Sequence, residues 1–184
     1  MEEIADSVYR FLSIIPLLGA IILLFALVWP ILEDHNPEEL PSALLNKQVP
    51  VFDLPGLDPK APRVRSANLI GKPAIVNFFA SWCIPCRIEI TELRTIASDG
   101  IIIYGLAYKD DTEAIRRFLS SFGNPYKMVG LDRDGRIGLE FGVYGLPETY
   151  IIDSKGFIRY RHVGALTNEM IKNILVPLLN KLGQ

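Results

Sequence analysis

The two cysteines of the chain stand three residues apart, in Trp82-Cys83-Ile84-Pro85-Cys86. Thiols at that spacing can form and release a disulfide with one another, which is the chemistry of thiol–disulfide exchange. The nucleophile in exchange is a thiolate, so one of the two must ionise near ambient pH. A helix N-terminus provides for this, because its unpaired N–H groups and macrodipole favour negative charge. The flanking sequence predicts such a place. Ala74-Ile75-Val76-Asn77-Phe78-Phe79-Ala80 has the apolar, β-branched and aromatic make-up of a buried strand. From Arg87 to about Ser98, apolar residues at Ile88, Leu93, Ile96 and Ala97 among charges suit an amphipathic helix. A Cys-x-x-Cys where a strand turns into a helix is a redox arrangement.

Cys83, at the start of that helix, is expected to be the exposed attacking thiol, with a pKa below the ~8.5 of a free cysteine. Cys86, one turn in, lies on the same side and can resolve a mixed disulfide. Pro85 suits an early helical position, since it has no N–H to donate. Trp82 is expected to pack beside the sulfurs and limit water. A structural disulfide is a poorer reading, because so small a loop removes little entropy from the unfolded chain. A zinc site would want two further ligands, and His35 and His162 lie in distant, unrelated contexts.

The domain from Val49 onward resembles the CcmG/DsbE family, thioredoxin-like proteins of cytochrome c maturation. Three blocks carry the resemblance: Gly71-Lys72-Pro73 leading to Asn77-Phe78-Phe79-Ala80-Ser81-Trp82-Cys83-x-Pro85-Cys86-Arg87-x-Glu89, then Gly142-Val143-Tyr144-Gly145-Leu146-Pro147-Glu148-Thr149, then Ile158-Arg159-Tyr160-Arg161-His162-x-Gly164. It implies an α/β thioredoxin-like fold, a central mixed sheet flanked by helices with an inserted helix–strand unit. It implies that Pro147 is a cis-proline facing the dithiol, with the backbone around Leu146, Pro147 and Thr149 offered to an extended peptide. Trp82 and Pro85 would line the same substrate surface. Glu89 and Glu148 would form an acidic pair near the active site. Thioredoxin keeps a buried aspartate six residues before its first cysteine, where this chain has Asn77. An amide cannot accept a proton, so Glu89 and Glu148 are the candidates for proton handling at Cys86.

Other elements follow from pattern. Val49–Leu54 reads as a short strand followed by a loop through Pro62, and Ile101–Ala107 as a second buried strand. Asp111–Phe122 reads as a helix opened by Asp110-Asp111-Thr112-Glu113. Lys127–Leu131 reads as a strand and Asp134–Phe141 as a helix ending at Gly142. Thr149–Ile152 and Phe157–Val163 read as a hairpin about Asp153-Ser154-Lys155-Gly156. A last helix from Thr167 carries Met170, Ile171, Ile174, Leu175 and Leu178 on its apolar side, and Pro177 is expected to kink it or loosen its end. The stretch from Tyr108 to Leu131 is the inserted unit, with Tyr126 a candidate contact at its rim, though core is the commoner place for an aromatic.

Ahead of the domain, Phe11 to Leu32 is a run of twenty-two residues without a charge. At the helical rise it spans about 33 Å, enough to cross a bilayer. The expected organisation is a cytoplasmic N-terminus at 1–10, an uncleaved transmembrane signal-anchor at 11–32, a polar linker at 33–48 and the thioredoxin-like domain at 49–184. Arg10 beside the run, with no Lys or Arg between Glu33 and Asn46, places the domain outside, on the periplasmic face of a bacterial inner membrane. The absence of spare cysteines suits an oxidising space.

Formal net charge is −2 and the basic residues are scattered, so no nucleic-acid face is expected. The expected activity is reduction of a disulfide in apocytochrome c, or in a thiol-bearing maturation partner, with no cofactor beyond the Cys83–Cys86 pair. The resemblance implies that electrons arrive from a membrane reductant of the DsbD/CcdA kind. A general TlpA-like reductase is the alternative within enzymes. A non-enzymatic copper or apoprotein-binding module, with His162 as ligand, is the alternative outside them.

Overall fold

The computed structural model describes Pro16, residues 18–29 and residues 44–183. The chain divides into two units, 1–39 and 40–184. In the first, residues 18–29 are helical, and their large apolar side chains are exposed, Ile22 and Leu24 each at 65%. Among the described residues no helix is long and apolar enough to cross a membrane. The expected span at 11–32 lies partly outside the described residues, as do the N-terminus 1–10 and most of the linker.

The second unit is built on a five-stranded sheet. Its strands are β3 (Ala74–Phe79), β4 (Ile103–Tyr108), β5 (Met128–Asp132), β6 (Glu148–Ile152) and β7 (Ile158–Val163), in the order β5-β4-β3-β6-β7. β3, β4 and β5 run parallel, whereas β6 and β7 run antiparallel to their neighbours. A small ribbon of β1 (Asp53–Leu54) and β2 (Val64–Arg65) precedes them. The expected strand at Val49–Leu54 thus shrinks to its last two residues, and its partner Val64–Arg65 had no sequence signal of its own. β3 is central and every residue in it is buried, which is why it reads as an unbroken apolar run.

Strand alternation sends side chains to two cores. On one face Ile75, Phe79, Ala107 and Ile151 meet α1 (Ile84–Ser98), α2 (Thr112–Phe122) and the C-terminal helix through Ile90, Leu93, Phe118, Ile171 and Leu175. On the other face Val76, Phe78, Leu106, Tyr150 and Ile152 meet Phe52, Leu54 and α3 (Arg136–Phe141). Each fully buried side chain of this size contributes about 1.5–3 kcal/mol relative to leaving it in water.

The helix ends follow local chemistry. The Asp111 carboxylate accepts the N–H groups of Glu113 and Ala114, both at 3.0 Å, and starts α2. Buried Asp132, at the end of β5, accepts those of Ile137 and Gly138 and starts α3. Gly142 closes α3 at φ 75°, a left-handed backbone that glycine adopts without strain. Thr167 caps the C-terminal helix by accepting the Met170 N–H. That helix widens over Ile171–Leu175 into a π-turn, with Val176 N–H donating to the Ile171 carbonyl, before Pro177. This wider turn just ahead of Pro177 is where the helix makes room for the proline ring and its missing donor.

The sequence boundary at 49 lies too late. Asn46 N–H donates to Ile158 O at 2.8 Å, Ile158 N–H donates back to Lys47 O at 2.9 Å, and Gln48 bridges Phe157. β7 is an edge strand whose outer groups need partners, and the polar residues just before the domain supply them.

Candidate active site

β3 runs into the dithiol loop and α1 begins on it. Cys83 is the N-cap residue, Pro85 sits in the first turn, and Cys83 and Cys86 are joined as a disulfide with an S–S distance of 2.08 Å. The Cys86 N–H donates to Cys83 Sγ at 3.2 Å, so an anion formed on that sulfur has a backbone donor already aimed at it. The loop is held from the β4–α2 connection. Asp110 accepts both the backbone N–H of Ser81, at 2.6 Å, and its hydroxyl, at 3.0 Å.

Three expectations about exposure change. Cys83 is 4% exposed and Cys86 2%, so in the disulfide state the attacking sulfur is nearly covered. Trp82 is 56% exposed, with its indole N–H 3.4 Å from the Lys109 carbonyl. Its ring is thus directed largely to the surface beside the dithiol rather than shielding the sulfurs. Ile88, expected on the buried side of α1, is 69% exposed. The buried stripe runs through Cys86, Glu89, Ile90, Leu93 and Ile96, a helical series whose phase is set by the cap at Cys83.

Glu89 therefore occupies a core position, one turn beyond Cys86 on the same face. It is 1% exposed. Its Oε1 accepts from Asn77 Nδ2 at 2.9 Å and its Oε2 from the Leu166 N–H at 3.0 Å. Burial, opposed by those two hydrogen bonds, raises its carboxyl from an ordinary 4.5 to about 7. The second hydrogen of the Asn77 amide reaches Thr149 Oγ1 at 3.1 Å, and the Tyr126 hydroxyl donates to Asn77 Oδ1 at 2.8 Å. Desolvation, and then the nearby Glu89 charge, hold the Tyr126 phenol well above its usual range.

Glu148 is fully buried but on the opposite face of the sheet. It pairs with Phe78 across β3 and shares that face with Tyr150 and Ile152, whereas Thr149 pairs with Asn77. Its carboxylate is met by Arg161 Nε and the Tyr150 hydroxyl. The expected acidic pair is thus split by strand alternation, with one member beneath the dithiol and the other against α3. Thr149, expected on the substrate surface, turns its hydroxyl inward to Asn77 and is fully buried.

The Leu146–Pro147 bond is cis. Pro147 O accepts the Gly164 N–H at 2.9 Å, and β6 starts one residue later, antiparallel to β3. That register puts the cis bond at the end of the sheet where β3 leads into Cys83. Arg161 braces the preceding loop, donating to Gly142 O at 3.0 Å and lying 5.0 Å over the Tyr144 ring. His162 is buried, opposite Thr149 on β7. Sequence reading missed two parts of the site. Tyr126 was named only as a possible rim contact or core aromatic, and the Leu166 donor is backbone and leaves no trace in residue type.

Residues 44–175 match the redoxin family. The chain is 46% identical over 147 residues to the thiol:disulfide interchange protein DsbE of Pseudomonas aeruginosa, covering 80% of this chain and 82% of that one. It is 39% identical over 176 residues to DsbE of Escherichia coli, with 94% and 95% coverage. Among solved structures it is similar to a secreted Mycobacterium tuberculosis disulfide oxidoreductase homologous to E. coli DsbE. There the TM-score is 0.59 at 25% identity, over 71% of this chain and 96% of that one. A cysteine pair closed at disulfide distance on the first turn of a helix, on this fold and with these relatives, makes the chain a thiol:disulfide oxidoreductase. It belongs to the redoxin family and, within it, to the CcmG/DsbE group of thioredoxin-like proteins.

Proposed function

We propose that the protein is a membrane-tethered periplasmic reductant that opens disulfides in apocytochrome c, or in a thiol-bearing partner of its maturation. Cys83, reduced, attacks a substrate disulfide. A Cys83–substrate S–S bond forms, the substrate S–S bond breaks, and the released thiolate takes a proton. Cys86 then gives its proton to the Glu89 carboxylate and its sulfur attacks Cys83. The Cys83–Cys86 disulfide forms and the second substrate thiol leaves. Two electrons pass to the substrate. A membrane dithiol reductant of the DsbD/CcdA kind returns the pair to its reduced state.

The observation that carries this reading is the Cys83–Cys86 pair on the first turn of α1, with the buried Glu89 carboxyl on the same helix face one turn beyond the resolving cysteine. The half-exposed Trp82, exposed Pro85 and half-buried Leu146 offer a surface for an extended peptide beside the cis bond, whose Pro147 is itself buried. Thr149 serves the buried network instead. The tether is the run 11–32, and the exposed apolar side chains of its helical residues 18–29 support burial in lipid. The test is trapping. Full-length protein carrying Cys86→Ala, reduced and mixed with an oxidised peptide containing Cys-x-x-Cys-His, should accumulate a mixed disulfide through Cys83. No adduct, or an equal adduct with Cys83→Ala, would overturn the assignment of roles.

A further inference from the structure

Asn77 is the one polar residue of β3 and is fully buried, with all its donors and one acceptor engaged. A side-chain amide has two nearly isosteric ends, and nothing apolar around it distinguishes them. Thr149 does not decide the matter either, since a hydroxyl can donate or accept. The Tyr126 hydroxyl could likewise accept, but among the described residues its proton has Asn77 Oδ1 as its one acceptor, so reversing the amide would strand that proton in a buried site. The phenol is itself fixed in place. Its ring stacks on Phe79 with centroids 4.6 Å apart, and it lies where a side chain at Gly105 would stand, 2.8 Å from a Cβ built there. Tyr126 belongs to the inserted unit, between α2 and β5.

We infer that Tyr126 is a positioning residue for disulfide resolution: its hydroxyl locks the Asn77 amide so that Nδ2, not Oδ1, faces the Glu89 carboxylate beneath Cys86. With the amide reversed, a carbonyl oxygen would face the carboxylate, and the ionised form of Glu89 would lose a donor and gain a repulsion. The inserted helix–strand unit thereby reaches the reaction through one phenol and one amide. The inference rests on the reading of Glu89 as proton acceptor for Cys86. Among the described residues, the polar and titratable groups on this face are Cys83 and Cys86 from α1, Tyr126 from the insert, Thr149 from β6 and Tyr160 and His162 from β7, with the Leu166 N–H closing the carboxylate.

The experiment follows resolution directly in the full-length reduced protein. A chromogenic aromatic disulfide at high concentration caps Cys83 quickly, and the concentration-independent second release of aromatic thiolate reports attack by Cys86. In the unaltered protein this rate should rise with a midpoint near 7, and Glu89→Gln should abolish that midpoint. Tyr126→Phe should move it up by about one pH unit, a tenfold change in proton affinity, because a hydrogen bond to the carboxylate is lost. Added to Glu89→Gln, Tyr126→Phe should change the profile no further. If Tyr126→Phe only lowers thermal stability and keeps the midpoint, the positioning role is overturned while the role of Glu89 stands. If the midpoint survives Glu89→Gln, another group such as His162 titrates and the underlying reading fails instead. Should Tyr126→Phe not fold, the unaltered protein still decides. The Asn77 side-chain amide resonances should titrate with Glu89 in NMR spectra, and an amide insensitive to pH overturns the inference.

Discussion

Glu89→Gln should flatten the pH dependence of stability, and the structure sets both its sign and its size. The carboxyl moves from an ordinary 4.5 in the unfolded chain to about 7 in the fold, chiefly because burial penalises the charged form. A folded value raised above the unfolded one means that the group's contribution is fully present below 4.5 and is lost as pH rises through 7. At about 1.36 kcal/mol for each tenfold in proton affinity, the loss is about 3 kcal/mol over that window. Glutamine carries no titrating proton. It does set an amide hydrogen against one of the two donors, Asn77 Nδ2 or Leu166 N–H, a penalty of about 1–3 kcal/mol. That penalty is independent of pH, so it shifts the intercept and leaves the slope alone. Urea unfolding of the oxidised full-length protein in detergent micelles, at half-unit steps from pH 4 to about 8.5, measures both chains alike. The stability of the unaltered protein minus that of Glu89→Gln should fall by about 3 kcal/mol across the series. A difference that stays constant would mean that Glu89 titrates as an ordinary solvated carboxyl, and the proton-acceptor argument would lose its physical basis. Other raised acids, such as Asp132, are common to both chains and cancel.

Two further outcomes follow from the same geometry. Arg161→Ala should destabilise the fold by about 3–5 kcal/mol, read by denaturant unfolding, because it leaves the fully buried Glu148 carboxylate without its cation; adding Glu148→Gln should recover part of that loss, and a single variant as stable as the parent would refute the ion-pair account. Ile88→Ser should change stability by less than about 0.5 kcal/mol, since Ile88 is 69% exposed; a loss of the size seen for core truncations would return Ile88 to the buried stripe of α1.

Legibility in the sequence tracked the range of the interactions concerned. The dithiol, the strand before it, the caps at Asp111 and Thr167 and the hairpin turn at Asp153–Gly156 depend on residues a few positions apart, and each was readable. Ile88 was misplaced because α1 carries isoleucines at 84, 88, 90 and 96, which admit more than one apolar stripe. The choice between them is made by where the chain enters the helix at Cys83. Glu148 was misplaced for a related reason. Adjacent strand residues point to opposite faces, so one position of register separates the dithiol side from the α3 side. Tyr126 and Leu166 were beyond reach altogether, being 49 and 77 residues from the groups they bond. Nothing local marks a hydroxyl or an amide N–H for a partner so far along the chain.

The amide at position 77 and the acid at position 89 are best understood as one choice. Asn77 Nδ2 lies 2.9 Å from Glu89 Oε1 in a site from which water is excluded. An aspartate at 77 would set two carboxylates at that distance, and such a pair cannot both ionise, so one would hold its proton far above neutrality. A carboxylate can therefore stand on the strand or on the helix, but a second one spoils the first. With an amide on β3, Glu89 keeps a single titration poised near 7, and it rides on the same helix as Cys86. The resolving sulfur and its proton acceptor thus keep a fixed spacing along α1, while Tyr126 holds the amide from the other side.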